Sequence, residues 1–395
     1  MTSTPSPAPG LLTKPPRLDS VDLLRGLVMV IMAIDHVRDF VTIARFDPAD
    51  LTATTVGIFL TRWITHFCAP VFVFLAGTGA FLSTTRGKTK TELSRFLLTR
   101  GIWLAIAEIT IVRFGWQFNF SLNFLFVQVI WVIGVSMIVL AFLVRFSIKT
   151  IGITGIVIIL LHNLLDGISP DMFGPFHWVW RFLHDPQPLS IIESITFMPF
   201  YSIIPWCGVM AAGYAFGSLL QNDPKRRQKL MLQIGFSMVA LFFVLRGFNI
   251  YGDPNPWSTQ KDFAFTILSF MNVTKYPPSL LFLLVTLGPS LIALSMFDRS
   301  IPRILKPMII FGRVPMFYYF VHLYLAHASA IVIGLFQGYS APAFLTLMLF
   351  FPTEYGLGLP GVYVVWFLVV LLLYPVCVWF AGIKRRYKYW WLSYL

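Results

Sequence analysis

Ten stretches of this chain are apolar over the length of a bilayer core, and little else about it leaves as few folds open. They run roughly over 20–42, 56–83, 94–114, 123–144, 148–167, 197–220, 229–248, 278–297, 310–336 and 361–382. A helix needs about 20 apolar residues to cross the hydrocarbon, and within it only helices or closed barrels satisfy their own backbone. The runs therefore predict an all-α, polytopic membrane helix bundle of ten transmembrane helices, N-in/C-in. The stretch 341–352 (APAFLTLMLFFP) is too short to cross and reads as re-entrant or interfacial, with an eleventh span as the alternative. Only 12% of the residues are charged, against about 25% in soluble domains. Residues 1–17, rich in Pro, Ser and Thr, read as a disordered cytoplasmic tail, and 18–395 as a single transmembrane domain. The first run carries Asp22 and Arg25 and lacks a small-residue cleavage site, so it reads as a span and not as a signal peptide.

The formal net charge of +13 would point to nucleic acid in a soluble chain. Here the cations follow the positive-inside pattern. With the N-terminus cytoplasmic, the inner segments hold Lys14, Arg17, Arg86, Lys88, Lys90, Arg145, Lys149, the 225–229 cluster, Arg299, Arg303, Lys306 and the 384–388 cluster. The outer loops hold only Arg45, Arg181, Lys261 and Lys275. The charge is explained without nucleic acid. All seven histidines and most of the acids fall on the outer half, which predicts a polar chamber opening outward.

Ionisable groups at bilayer depth cost roughly 3 kcal/mol each on insertion scales, so a set of them implies a cavity or a buried network. In SVDLLRGLVMVIMAIDHVRDF, the residues Asp22, Arg25, Met29, Met32, His36 and Asp39 share one helical face. His36 is a candidate general base or nucleophile. Asp39, one turn on, or Asp35, adjacent in sequence, would orient it. In the second run Arg62 and His66 are i,i+4 neighbours, and Pro70 predicts a kink. Glu108, His162 and His322 are further polar residues in the outer half, and Trp257 lies in the Pro/aromatic loop YGDPNPW; these, with Arg62, are candidate substrate contacts. Arg62 or His322 would serve as oxyanion donor. His322 and His327 point about 140° apart on a regular helix, and no HxxxH or HExxH occurs, so no metal site is expected. Cys68, Cys207 and Cys377 lie in apolar runs and read as core residues. On the cytoplasmic half Arg25, Arg95, Arg100 and Arg313 lie deeper than topology requires and are candidates for an anionic cofactor bearing several phosphates.

RLDSVDLLRGLVMVIMAIDH (17–36), with its R-x-x-S-x-D-x-x-R-G pattern, and HFCAPVFVFLAGTGAFLS (66–83), with P-x-F-x-F-x-x-G, together resemble the heparan-α-glucosaminide N-acetyltransferase catalytic-domain family, in particular its bacterial members. GYAFG, TKYPPSLLF, FGRVPMFYYFVH and the terminal WLSYL are similar to the same branch. The resemblance implies a transmembrane acyltransferase. Acetyl-CoA would enter from the cytoplasm as acyl donor, and an amine or hydroxyl of a sugar or glycan would accept on the other side. A span-1 histidine is the catalytic group in the wider superfamily, and His36 matches that position. In the lysosomal enzyme the histidine credited with catalysis lies in the loop after span 1. Here loop 43–56 has no histidine and offers Asp47 and Asp50, whereas His66 stands where that enzyme has an acid in span 2. The resemblance thus leaves His36 and His66 as alternatives, and direct transfer and an acetyl-histidine step both open.

The competing reading is a small-molecule transporter with a 5+5 helix architecture, although no internal repeat is visible. Beyond donor and acceptor, the expected partners are membrane lipids. A homodimer is left open. The expected location is the bacterial cytoplasmic membrane.

Overall fold

The computed structural model describes residues 17–395 apart from 193–194 and 388; the tail expected over 1–17 lies, except for Arg17, outside the described residues. In chain order the helices are α1 (Asp19–Val41), α2 (Val56–Ile64), α3 (Cys68–Thr84), α4 (Lys90–Ala107), α5 (Arg113–Gln117), α6 (Val129–Leu143), α7 (Ile148–Leu161) and α8 (His177–Leu183). There follow α9 (Ile203–Leu219), α10 (Pro224–Phe248), α11 (Phe263–Met271), α12 (Leu280–Arg299), α13 (Met308–Arg313), α14 (Pro315–Phe336) and α15 (Leu359–Arg386). A small sheet accompanies them, in the order β1 (Phe124–Val127), β3 (Ile195–Pro199), β2 (Leu189–Ile192). β1 pairs with β3 in parallel and β2 with β3 antiparallel.

The all-α, multi-pass character stands, but the expected number of spans does not. Among the described residues six helices are long and apolar enough to cross a membrane: Val56–Thr84, Ile148–Leu165, Pro224–Phe248, Leu280–Arg299, Pro315–Phe336 and Leu359–Arg386. The ten-helix reading fails for physical reasons that differ from run to run. β1 and β3 take the starts of the 123–144 and 197–220 runs out of helix. They leave the shorter apolar helices Val129–Leu143 and Ile203–Leu219. The first, at 15 residues, reaches only about 22 Å, short of the roughly 30 Å core. α1 carries Asp19, Asp22, Arg25, Asp35, Arg38 and Asp39, more charge than a lipid-facing span tolerates. α4 opens on Lys90, Glu92, Arg95 and Arg100, and its outer end passes into a π-helical turn over Glu108–Val112. The 341–352 stretch is not a helix of any length but two 3₁₀ turns, Ala341–Phe344 and Met348–Phe350.

α1 is the central element, with α3, α12, α13, α14 and α15 against it. Several of its polar side chains are buried by protein; Asp22, His36 and Arg38 are all under a tenth exposed. Two glycines set the closest approach. A Cβ on Gly26 would stand 1.9 Å from the Met308 carbonyl oxygen, and one on Gly312 1.8 Å from that of Asp22, so α1 and α13 meet backbone to backbone. Arg25 spans the seam, donating to the Gly312 carbonyl at 3.1 Å. Small-residue seams of this kind are how helices associate where burial of apolar surface drives little.

Candidate active site

The α1 face read from the sequence points into the bundle: Met29, Met32 and His36 are 2%, 4% and 8% exposed. His36 meets α14 there. Its Nδ1 lies 2.7 Å from Nε2 of His322, and the Nδ1 of His322 lies 3.0 Å from the Tyr318 carbonyl oxygen. A carbonyl only accepts, so His322 Nδ1 carries the proton and its Nε2 the lone pair. His36 Nδ1–H then donates to that lone pair, and the free lone pair of His36 is on Nε2. The tautomers follow from the hydrogen-bond chain. No hydrogen bond from a described residue engages His36 Nε2, which leaves it available as a base. Trp116 stands edge-on to the His36 ring at 5.1 Å, and Tyr319 at 6.0 Å.

The two carboxylates expected to orient His36 do something else. Asp35 accepts from Arg62 Nη1 at 2.9 Å and pairs with Arg38 at 2.7 Å, while Asp39 accepts from Arg38 at 2.7 Å. They form a four-membered network of alternating charge beside the histidine pair, and neither hydrogen-bonds the imidazole. Arg62 is held further by Thr65 Oγ1 at 3.2 Å. His66 sits in the 3₁₀ turn Thr65–Phe67 that separates α2 from α3. Pro70 has no N–H to give the His66 carbonyl, so the chain tightens there. The His66 ring packs edge-on against Phe282 at 5.3 Å, and its buried Nδ1 has no hydrogen-bond partner among the described residues.

Other candidates are structural. Glu108 is fully buried and accepts from the backbone N–H groups of Gln128 and Trp131 at 3.1 and 2.9 Å, capping α6. His162 places Nε2 2.8 Å from the Pro278 carbonyl and ties α7 to the loop before α12. Trp257 donates its indole N–H to the Arg246 carbonyl at 2.8 Å, inside a knot in which Arg246 also donates to the carbonyls of Asn255, Ser269, Phe270 and Asn272. The Pro/aromatic loop is thus folded, and its Asp253 accepts from the Thr274 N–H at 2.8 Å, which braces the segment that holds Lys275 and Tyr276. Asp166, four residues after His162, meets His184 Nε2 at 2.8 Å.

Toward the Arg25 end of α1 a cavity of about 310 Å³ lies between α1, α3, α4, α6 and α14. Arg25, Lys88 and Arg100 line it, apolar side chains such as Leu75, Ile133 and Met137 form its walls, and Tyr319 borders it. Through Tyr319 the cavity adjoins the His36–His322 pair. Arg25 and Arg100 are where the sequence puts an anionic ligand. Lys88 was missed there, because its place in a short turn after α3 reads as a topology charge. Arg95 is exposed and does not line the cavity. Arg313 is also outside it and pairs with Asp19 at 2.9 Å. Arg100 and Lys88 have no carboxylate partner among the described residues, as a phosphate site requires. Among the described residues no cluster of His, Cys, Asp and Glu has metal-binding geometry.

Residues 17–249, more than half of the chain, match the family described as "Heparan-alpha-glucosaminide N-acetyltransferase, catalytic". The chain belongs to this family. The match spans α1, the Arg62–His66 segment and every cavity helix except α14, and it places the protein among membrane-embedded acetyltransferases of the acyl-CoA-dependent kind. No curated protein matches the chain.

Proposed function

We propose that the protein moves an acetyl group from acetyl-CoA, bound from the cytoplasmic side, to an amine or hydroxyl of a sugar or glycan on the opposite side of the bacterial cytoplasmic membrane. The observation that carries this reading is the cavity that runs from three cations to Tyr319, whose ring stands 6.0 Å from that of His36. Its volume is at the lower end of ligand pockets, roughly 300–1,000 Å³. That suits a slender pantetheine arm better than a nucleotide. Arg25, Lys88 and Arg100 would hold the phosphates at its mouth, the apolar walls would take the arm, and the thioester would lie near Tyr319. Sidedness follows the cations: the Arg25 end of α1 faces the cytoplasm, and both termini lie there.

The acceptor would reach the outer end of α1, where Asp35, Arg62, Lys275 and Tyr276 are close to the surface. His36 Nε2 takes the acceptor's proton as its nitrogen or oxygen attacks the thioester carbonyl, and later returns it to the departing coenzyme A sulfur. His322 fixes the tautomer that makes Nε2 the base. His66 stays in reserve as an acceptor contact beside Arg62. The family membership favours this reading over the transporter.

The test is calorimetry of coenzyme A binding to the purified full-length protein, wild type beside Arg25→Ala, Lys88→Ala and Arg100→Ala. Micromolar binding that weakens in each variant supports the donor site. Absence of binding, or binding insensitive to all three changes, overturns it.

A further inference from the structure

We infer that the Tyr319 hydroxyl, with the Trp116 indole N–H beside it, is the oxyanion donor of the transfer step. This rests on the donor cavity proposed above. The two donors suggested by the sequence are already committed: His322 uses Nδ1 on the Tyr318 carbonyl and Nε2 on His36, and Arg62 is held by Asp35 and Thr65. The Tyr319 hydroxyl is not: the residue is 3% exposed, and among the described residues no hydrogen bond of normal geometry engages its oxygen, with the buried Trp116 Nε1–H within reach of it. Buried polar groups without partners are rare in folded proteins, and each calls for a reason. A phenylalanine at 319 would fill the same space without stranding a hydroxyl.

Position supplies the reason. Tyr319 is the residue shared by the cavity and the histidine pair: it lines the former, and its ring stands 6.0 Å from His36 and 5.4 Å from His322. Trp116 approaches His36 from another side at 5.1 Å. The Tyr318 hydroxyl also has no hydrogen-bond partner among the described residues, but its ring packs against Phe311 and His322 and the residue does not line the cavity. A thioester carbonyl at the inner end of the cavity would thus meet the Tyr319 hydroxyl, a neutral donor in a buried site, where such donors act most strongly, with the Trp116 indole supporting it from behind.

The step balances as follows. The acceptor's lone pair forms the new bond to the carbonyl carbon, and the C=O π electrons move to oxygen, to which the Tyr319 O–H donates. His36 Nε2 takes the acceptor's proton. Collapse restores C=O and breaks the C–S bond, and the sulfur leaves with its electron pair and receives that proton.

The experiment is infrared difference spectroscopy of acetyl-CoA labelled with ¹³C at the carbonyl, bound to purified wild type, Tyr319→Phe and Trp116→Phe at equal occupancy set by calorimetry. The carbonyl band is expected at lower wavenumber in wild type than in Tyr319→Phe, with Trp116→Phe between them. The kcat for transfer to glucosamine should fall about 100-fold in Tyr319→Phe, as for loss of one oxyanion donor, with donor affinity and melting temperature kept. Bound donor with the same band in wild type and Tyr319→Phe overturns this inference alone. Failure of wild type to bind acetyl-CoA overturns the donor reading with it.

Discussion

Replacing His322 by phenylalanine isolates what the histidine pair contributes. The ring volume stays, so the stack on Tyr318 at 5.3 Å and the near-parallel neighbour at 4.9 Å are kept. The acceptor at 2.7 Å from His36 Nδ1 is lost. His36 then has two options. It keeps the proton on Nδ1 and buries an unpaired donor, at a cost of about 1–3 kcal/mol. Otherwise it moves the proton to Nε2 and presents a donor where the base must be. Either way base catalysis suffers, and general bases contribute roughly 10²–10⁴-fold. We expect kcat to fall at least about 100-fold with the KM for acetyl-CoA unchanged, because His322 does not line the cavity. His322→Gln, whose side-chain oxygen accepts the same proton, should recover part of the loss. The assay is labelled acetyl transfer in detergent, with ¹⁵N-imidazole NMR reporting Nδ1–H on His36 in wild type. An unchanged kcat in His322→Phe, or a glutamine variant no better than phenylalanine, would refute the relay.

Other expectations follow from the same geometry. Lys88→Ala and Arg100→Ala should each raise the KM for acetyl-CoA, by about tenfold for a lost charge-assisted contact, and leave kcat alone; steady-state kinetics on the donor checks this. Glu108→Gln weakens the cap on α6 and should cost about 1–2 kcal/mol of stability, seen as a lower melting temperature with donor affinity retained. Gly312→Ala drives a Cβ into the Asp22 carbonyl and should separate α13 from α1, read as loss of monodisperse protein on size exclusion.

How much of this was legible in the sequence depends on how local the signal was. The α1 face was legible because six residues, two of them Met and four ionisable, repeat at helical spacing, and the structure turns that face into the bundle. The break before Pro70, a 3₁₀ turn, was legible because proline has no N–H to give the His66 carbonyl. The partner of His36 was not: His322 is 286 positions away, and no periodicity within one helix relates the two. Proximity in sequence pointed instead to Asp35 and Asp39, whose carboxylates are claimed by Arg38 and Arg62. Glu108 read as a ligand contact because helix caps supplied by another helix leave no local pattern. The span count erred where strands borrow apolar residues. FLFV and ITFMP have the hydropathy of a membrane helix, and only their pairing with each other makes them sheet. Lys88 looked like a topology charge because sequence gives sidedness but not which loop folds over a cavity mouth.

The central claim is that His36 is the base of an acetyl transfer fed by acetyl-CoA. Its most direct test is transfer from [¹⁴C]acetyl-CoA to glucosamine and a panel of amino sugars by purified protein, comparing wild type with His36→Ala and His66→Ala. The account predicts label on an amino sugar with wild type, its abolition in His36→Ala, and retained turnover with altered acceptor KM in His66→Ala. Full turnover in His36→Ala, with activity abolished in His66→Ala, would contradict it and move the chemistry to α2.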